Sequence, residues 1–384
     1  MLLNCGVNVP VLFNLIGAEI ILVTGSENVR GILNDRHPIT THRVRPRFIK
    51  YALGLHPKAV ALIEADTSGA QLEPLPRSNV PDHRRILRTQ QESTFNSISH
   101  IGVRDFMPRY MSCYEGCVEN SQIGDKWSDV SDLFILLRDL SLEASLNSLC
   151  GKYLLMQSPE FSSAFWEFDE NVHFLFMGFL SWLRPRAAKA RKRCLDAITR
   201  WRATAVQKSQ GRKVPDETLW DDLWGSKIMR LRNNMYDKFS EFDPASRSGA
   251  DLGVIWAAND NLAPVTCWLL MALLRDDRIR KQCMTEMSKA RLPDEGHCPI
   301  PRFDSGMLVK QPFLNSVFSE VLRHEVTIFM AKSVEEGYKL GAYTLPKHSR
   351  VLTPSHVKHM DKSRWKTRPR AEKHPLEEFW AEDS

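Results

Sequence analysis

Residues 252–274 read LGVIWAANDNLAPVTCWLLMALL, an apolar run with a single charge, Asp260. The run is long enough to span a bilayer. Yet Asn259, Asp260 and Asn261 sit at its middle, and one central Asp costs about 2.5–3.5 kcal/mol on insertion scales. A helix buried in a soluble core fits this composition better. Polar side chains kept inside such a helix need partners, which makes them candidates for function. Pro264 has no N–H to offer the carbonyl of residue 260, so the helix is expected to bend there. The opened turn falls beside Asn261, where a small ligand would meet freed backbone and a side-chain amide.

Downstream, PFLNSVFSEVLRHEV (312–326) sets Glu320 and Arg323 three residues apart, on one helical face where they can bridge. Alone, such a pair is an ordinary surface contact of little energetic weight. AKSVEEGYKLGAYTLPKHSRVLTPSHVKHMDKSRW (331–365) follows, a strand-turn-strand run with 338–340 and 350–352 as its best strands, ending in His359-x-Asp361 and Trp365. Upstream the pattern is helical, with windows at 83–98, 102–119, 129–150, 159–182, 186–209, 219–239, 249–275, 277–290 and 312–325. At the start, 11–16 and 19–23 read as two strands about a turn at Gly17-Ala18, and Thr24 to Glu27 as a capping box opening a helix through Leu33. Strand-rich stretches at 10–60 and 333–384 around a helical 83–330, with no internal repeat, predict one domain over 1–384, mainly α with small β-sheets.

Composition removes other classes. Of the 384 residues 43% are hydrophobic and 26% charged, as in average globular chains, which excludes collagen-like, disordered and multi-span membrane proteins. The net charge of +6 is too small to argue for nucleic acid. A basic cluster (Arg184, Arg186, Lys189, Arg191, Lys192 and Arg193) follows the apolar stretch 174–183. It reads first as a solvated helix end, and second as peripheral contact with an anionic membrane surface. The eight cysteines show no paired CxxC spacing and no Asn-x-Ser/Thr acceptor occurs, which suits a reducing compartment. The opening MLLNCGVNVPVLFNLIGAEIILV lacks a basic leader and is interrupted by Asn8, Pro10, Asn14 and Glu19, so it reads as neither signal nor anchor. There is no GxSxG elbow, GxGxxG loop or GxxxxGK[ST] phosphate loop. His324-Glu325 lacks the second zincin histidine, position 328 being Ile, and Gly296-His297-Cys298-Pro299 has no further ligands at metal spacing. No metal site is expected from protein ligands.

Taken in order, these segments resemble the cytochrome P450 family, the haem-thiolate monooxygenases. Glu320 and Arg323 match its Glu-x-x-Arg core pair, and Lys332 stands where a basic residue often reaches a haem propionate. HMDKSRW (359–365) is similar to its His-x-Asp-x-x-x-Trp stretch, and HPLEEFWAED (374–383) to the start of its Pro-Glu-Arg-Phe region. Trp256, Ala257, Asn261, Pro264, Thr266 and Trp268 follow the sterol 7α/12α-hydroxylase and prostacyclin synthase branch, which has Asn where most members have the oxygen-activating Thr. ALGLHPKAVALIEADTSG (52–69) is similar to fungal members. The resemblance runs from about residue 11 to residue 379 and implies a cytochrome P450-like fold with haem as cofactor. It further implies O2 and an apolar, sterol- or secondary-metabolite-like substrate, with a flavoprotein reductase as electron donor. The implied location is the cytosolic face of the endoplasmic reticulum membrane, or the cytoplasm for a chain without an anchor. In the roles it implies, Asn261 and Asp260 manage the distal oxygen and its protons and Ala257 borders the haem. Lys332 meets a propionate, while Glu320 and Arg323 brace the core. The branch also admits isomerase or dehydratase chemistry.

Two departures qualify the resemblance. The family's iron is held by a Cys in a Phe-x-x-Gly-x-x-x-Cys-x-Gly loop beyond the Pro-Glu-Arg-Phe region, and residues 1–384 do not include that loop. Cys298 precedes the Glu-x-x-Arg helix and is no substitute. Asp383 stands at the position of the family's Arg, so Glu320 and Arg323 are expected to lack a third partner, a costly state for buried charge. The chain therefore reads as a monooxygenase truncated at both ends. The alternative is a catalytically inactive relative, either a gene-model fragment or a ligand-binding remnant.

Overall fold

The computed structural model describes residues 9–15, 18–33, 38–76, 78–98, 100–121, 123, 128–178, 183–293, 301–360 and 375–381. The chain begins with β1 (Val11–Leu15), β2 (Ala18–Leu22), α1 (Ser26–Leu33), β3 (Ile39–Thr40), α2 (Val44–Tyr51) and α3 (Pro57–Ala65). Helices dominate the middle: α4 (Ile86–Ile98), α5 (His100–Asn120), α6 (Leu133–Leu149), α7 (Tyr153–Gln157), α8 (Phe161–Asp169), α9 (Val172–Phe176) and α10 (Pro185–Ser209). A hairpin of β4 (Trp220–Asp221) and β5 (Gly225–Ser226) precedes α11 (Lys227–Tyr236), α12 (Pro244–Asn259), α13 (Leu262–Arg275) and α14 (Asp277–Lys289). The rest comprises α15 (Ser305–Leu308), α16 (Pro312–His324), β6 (Phe329–Val334), β7 (Tyr338–Leu340), β8 (Tyr343–Leu345), β9 (Arg350–Pro354) and α17 (Ser355–His359). The class is mainly α with small sheets, as expected. Within these residues the chain forms two compact units, Pro46–Pro264 and the combination of Met1–Arg45 with Val265–Ser384.

The helical unit is built on α10. Its buried residues Ala187, Ala190, Cys194, Ala197, Ile198, Trp201 and Ala205 recur every three or four positions and form one stripe. Mostly small side chains let α8 and α12 pack closely on that stripe. Of the basic cluster, Arg184, Arg186, Lys189 and Lys192 are exposed, whereas Arg191 bonds the Tyr51 carbonyl and Arg193 pairs with Glu167. α12 approaches the chain after α2 so closely that a Cβ on Gly249 would lie 2.7 Å from the Leu53 carbonyl oxygen. Beneath it Asp251, fully buried, accepts from Arg202 at 2.6 Å.

The other unit carries a five-stranded sheet in the order β1-β2-β9-β6-β3. β2 pairs with β9 in parallel, Ile20 to Leu22 against Arg350 to Leu352, and the remaining pairs are antiparallel. Ile21, Val23, Ile32, Ile39, Val334, Leu340, Leu345 and Val351 form its core. A second cluster gathers Ile279, Cys283, Phe313, Val317 and Ala381.

Several sequence expectations change. The stretch 10–60 is not all strand: α2 and α3 are helical, because Pro57 can open a helix and Ala59, Val60, Leu62 and Ile63 recur as one buried face. The window 159–182 breaks between α8 and α9, and 219–239 opens as a hairpin because Asp221 folds back to accept the N–H groups of Leu223 and Trp224. The window 249–275 is two helices. Ile16 and Gly17 of the first expected turn lie outside the described residues.

Candidate functional site

The break between α12 and α13 is local in origin. The Asp260 N–H closes the last turn of α12 on the Trp256 carbonyl at 2.9 Å. Two residues later α13 starts, and Pro264 sits in its first turn, where a missing N–H costs nothing. The buried Asn259 returns its amide to the Ile255 carbonyl at 2.7 Å. Its Oδ1 has no partner among the described residues, a buried acceptor that a donor entering the turn would satisfy. Ala257 and Asn261 are exposed, and Asp260 is half-buried. Together Ala257, Asp260 and Asn261 present a small side chain, a carboxyl and an amide on adjoining turns.

A residue that no motif marked completes this group. Trp256 Nε1 donates to Asp169 Oδ1, at the end of α8, at 2.7 Å. The indole also packs against Phe48, ring centres 5.3 Å apart. Burial pushes the Asp169 carboxyl up to about 6, against the pull of the Trp256 bond, and the charge and hydrogen bond of Asp260 add to the rise. Burial raises Asp260 too, and the bond from Asp169 opposes it. Two acids in one low-dielectric corner resist carrying two charges.

Glu320, Arg323 and Lys332 belong to the other unit. Arg323 Nε donates to Glu320 Oε2 at 2.7 Å and Nη2 to Oε1 at 2.6 Å, a two-pronged pair on α16. The expectation that this pair lacks a further partner is overturned. Nη1 reaches the Leu376 carbonyl at 2.8 Å, Nη2 the Glu378 carbonyl at 3.0 Å, and the Trp380 N–H donates to Glu320 Oε1 at 2.9 Å. Backbone groups of 376–380 thus satisfy charge that would otherwise be buried unpaired. Lys332 lies on β6, 6% exposed, with its ammonium 3.0 Å from the Leu33 carbonyl. His359 ends α17. Asp361, Trp365, Cys5, His297, Cys298 and Asp383 lie outside the described residues.

Among the described residues no three His, Cys, Asp or Glu side chains are grouped to hold a metal, and no helix is long and apolar enough to cross a membrane. Burial pushes the thiols of Cys117 and Cys194 up to about 12, that of Cys283 up to about 11, and that of Cys150 well above its usual value.

A sequence model described as Cytochrome P450 matches residues 124–382. The chain is 27% identical to a cytochrome P450 monooxygenase, fsoE, of Humicola fuscoatra over 98% of its own length and 64% of that protein's. It is 24% identical to the cholesterol 7-alpha-monooxygenase of Cricetulus griseus over 52% of this chain and 38% of that one. It therefore spans less than two thirds of the length of either relative. The first agrees with the fungal resemblance expected from the sequence, and the second with the sterol 7α-hydroxylase-like branch. A solved structure, retinoic acid bound cyanobacterial CYP120A1, superposes with a TM-score of 0.64 at 14% identity, over 97% of this chain and 73% of that one.

Haem is the cofactor that this family and fold imply. The family's haem is held through a thiolate, and among the described residues burial raises the four buried thiols, Cys117, Cys150, Cys194 and Cys283, away from that form. The break in the long apolar helix, the Glu320–Arg323 pair fastened to the 376–380 backbone and the mainly helical fold converge with the match over 124–382: the chain belongs to the cytochrome P450 family.

Proposed function

We propose that this chain is the larger part of a monooxygenase that inserts one oxygen atom from O2 into an apolar, sterol- or secondary-metabolite-like substrate. A flavoprotein reductase would supply the electrons at the cytosolic face of the endoplasmic reticulum. The observation that carries the reading is the opened turn at Asp260–Asn261 inside an apolar helix. Haem supplies the dioxygen chemistry when bound through a thiolate. The residues of this chain contribute its surroundings. Asn261 offers an amide to a polar group entering the turn, and Asp260 offers a half-buried carboxyl whose pKa burial raises. Exposed Ala257 leaves room for a flat apolar group. Lys332 would meet an acidic substituent of the cofactor, and Glu320 with Arg323 holds the 376–380 backbone in place.

The test is the reduced carbon monoxide spectrum and turnover of a polypeptide that carries these residues and a thiolate beyond Arg323. A thiolate-type band and oxygenated product are expected, with Asn261→Ala lowering turnover by about 100-fold. Product formed without a reductase would favour isomerase-type chemistry instead.

A further inference from the structure

We infer that Asp169 is a positioning residue for the candidate site: by accepting the indole N–H of Trp256 it fixes that ring in one plane beside the helix break. Asp169 Oδ1 accepts from Trp256 Nε1 at 2.7 Å. The bond joins the last residue of α8 to the last turn of α12, two helices of one compact unit. Both ends are rigid. Phe161, Phe165 and Phe168 of α8 are fully buried, and the Glu170 N–H closes the helix end on the Trp166 carbonyl at 3.0 Å. On α12, Leu252 and Ile255 are fully buried, and the Asp260 N–H returns to the Trp256 carbonyl at 2.9 Å. A carboxyl held on one rigid helix therefore meets an N–H held on another.

The ring is gripped from a second side. Its centre lies 5.3 Å from that of Phe48 on α2, which lies 5.9 Å from that of Phe176 at the end of α9. Ring contacts alone leave an indole free to slide and tilt against its neighbours. Its N–H is its single polar handle, and one directed bond at that handle removes the freedom. Trp256 precedes Ala257 and stands one turn before Asp260, so the plane of its ring sets how much room adjoins the exposed Ala257. A flat, fused-ring apolar substrate would meet the indole as a fixed wall. Asp169 touches the indole and not the reacting groups, and either form of its carboxyl accepts through Oδ1, so the tie does not depend on its titration. Its part in substrate binding rests on the function proposed above, whereas the tie itself does not.

The test uses the 384-residue chain without cofactor, labelled with nitrogen-15. Ten tryptophans give ten indole N–H cross-peaks, and the one missing in Trp256→Phe belongs to Trp256. The spectra are recorded at about pH 7.5, so that the Asp169 carboxyl, lifted to about 6, is ionised. In Asp169→Leu, which keeps the bulk and removes the acceptor, the cross-peak should move upfield. It should also exchange with solvent about 10- to 100-fold faster, as the loss of a hydrogen bond to a charged group requires. Asp169→Asn keeps an acceptor and should fall between the two. A cross-peak that neither moves nor exchanges faster in Asp169→Leu overturns the inference. Should that variant fail to fold, Asp169→Ala decides in its place. In the thiolate-bearing polypeptide of the turnover assay, Asp169→Leu should raise KM about tenfold and leave kcat within about twofold, the mark of lost binding rather than lost chemistry. An unmoved KM would reduce the bond to a structural tie and overturn the positioning role. The cross-peak needs neither thiolate nor turnover, so a failed monooxygenase assay counts against the oxygenase reading alone, and an unmoved cross-peak leaves that reading standing.

Discussion

Arg323 has five N–H donors, and each has an acceptor: both Glu320 oxygens, the carbonyls of Leu376 and Glu378, and the Met360 sulfur at 3.3 Å. The side chains of Arg323 and Glu320 are only 9% and 12% exposed, so removing the carboxylate strands a buried guanidinium and takes the acceptor from the Trp380 N–H. Glu320→Ala should cost about 3–5 kcal/mol, read as a fall in the urea midpoint at unchanged slope. Glu320→Gln, which keeps an acceptor for the Trp380 N–H, should cost less. A loss below about 1 kcal/mol would show that the pair behaves as an exposed surface bridge. The spacing of three made the pair legible in the sequence. Its main-chain partners were hidden because they are carbonyls 53 and 55 residues further on, and a carbonyl carries no residue identity. Asp169 was hidden for a related reason: its partner Trp256 is 87 positions away, and nothing in FSSAFWEFD singles out its last acid.

At the scale of elements, what could be read was whatever a single segment decides. Pro264 announced the break in the apolar helix, and the strand expected at 338–340 is β7 to the residue. What escaped needed a second element. Gln311, at the start of α16, gives no side-chain cap, and the N–H groups of Phe313 and Leu314 are met by Glu286 of α14, at 3.3 and 2.8 Å. The closeness of α12 to the chain after α2 was equally silent, since Gly249 and Gly253 look like helix-weakening residues until Leu53 is placed against them. Adding a methyl at Gly249 improves helix propensity by about 1 kcal/mol, but it meets the Leu53 carbonyl oxygen at 2.7 Å and a Leu55 methyl at 2.8 Å. Backbone cannot rotate out of the way, so the overpacking cost of about 1–3 kcal/mol should win. Gly249→Ala is expected to lower the thermal midpoint, and a rise would mean that α12 shifts freely at this contact.

For the molecule as a whole, fold class and family were open to reading because each rests on patterns along the chain. The sheet was not, because β2 and β9 pair across more than three hundred residues and strand choice over that span is set by packing. Its charges give a further whole-molecule consequence, in the dependence of stability on pH. The Arg84 bond holds Glu241 below the usual carboxylate range. Burial lifts Asp221 and Glu335, but hydrogen bonds from Arg212 and the Trp224 and Leu223 N–H groups, and from Ser333 and Arg43, outweigh it and hold both low. For these groups the unfolded chain binds protons more tightly, so their stabilisation is full above 3.8 for Asp221 and 4.5 for the glutamates, and is lost as pH falls through their folded values. Asp169 has the opposite sign. Its contribution is full below 3.8 and is lost as pH rises through about 6, and burial gives Asp251 the same sign against the pull of Arg202. The sum should peak on the acid side of neutrality, below about pH 6, when urea midpoints are measured from about pH 4 to pH 8. Asp169→Asn should flatten the decline through pH 6 and move the peak toward neutrality. A wild-type peak at or above neutral pH would mean that the buried acids of the helical unit do not govern the profile.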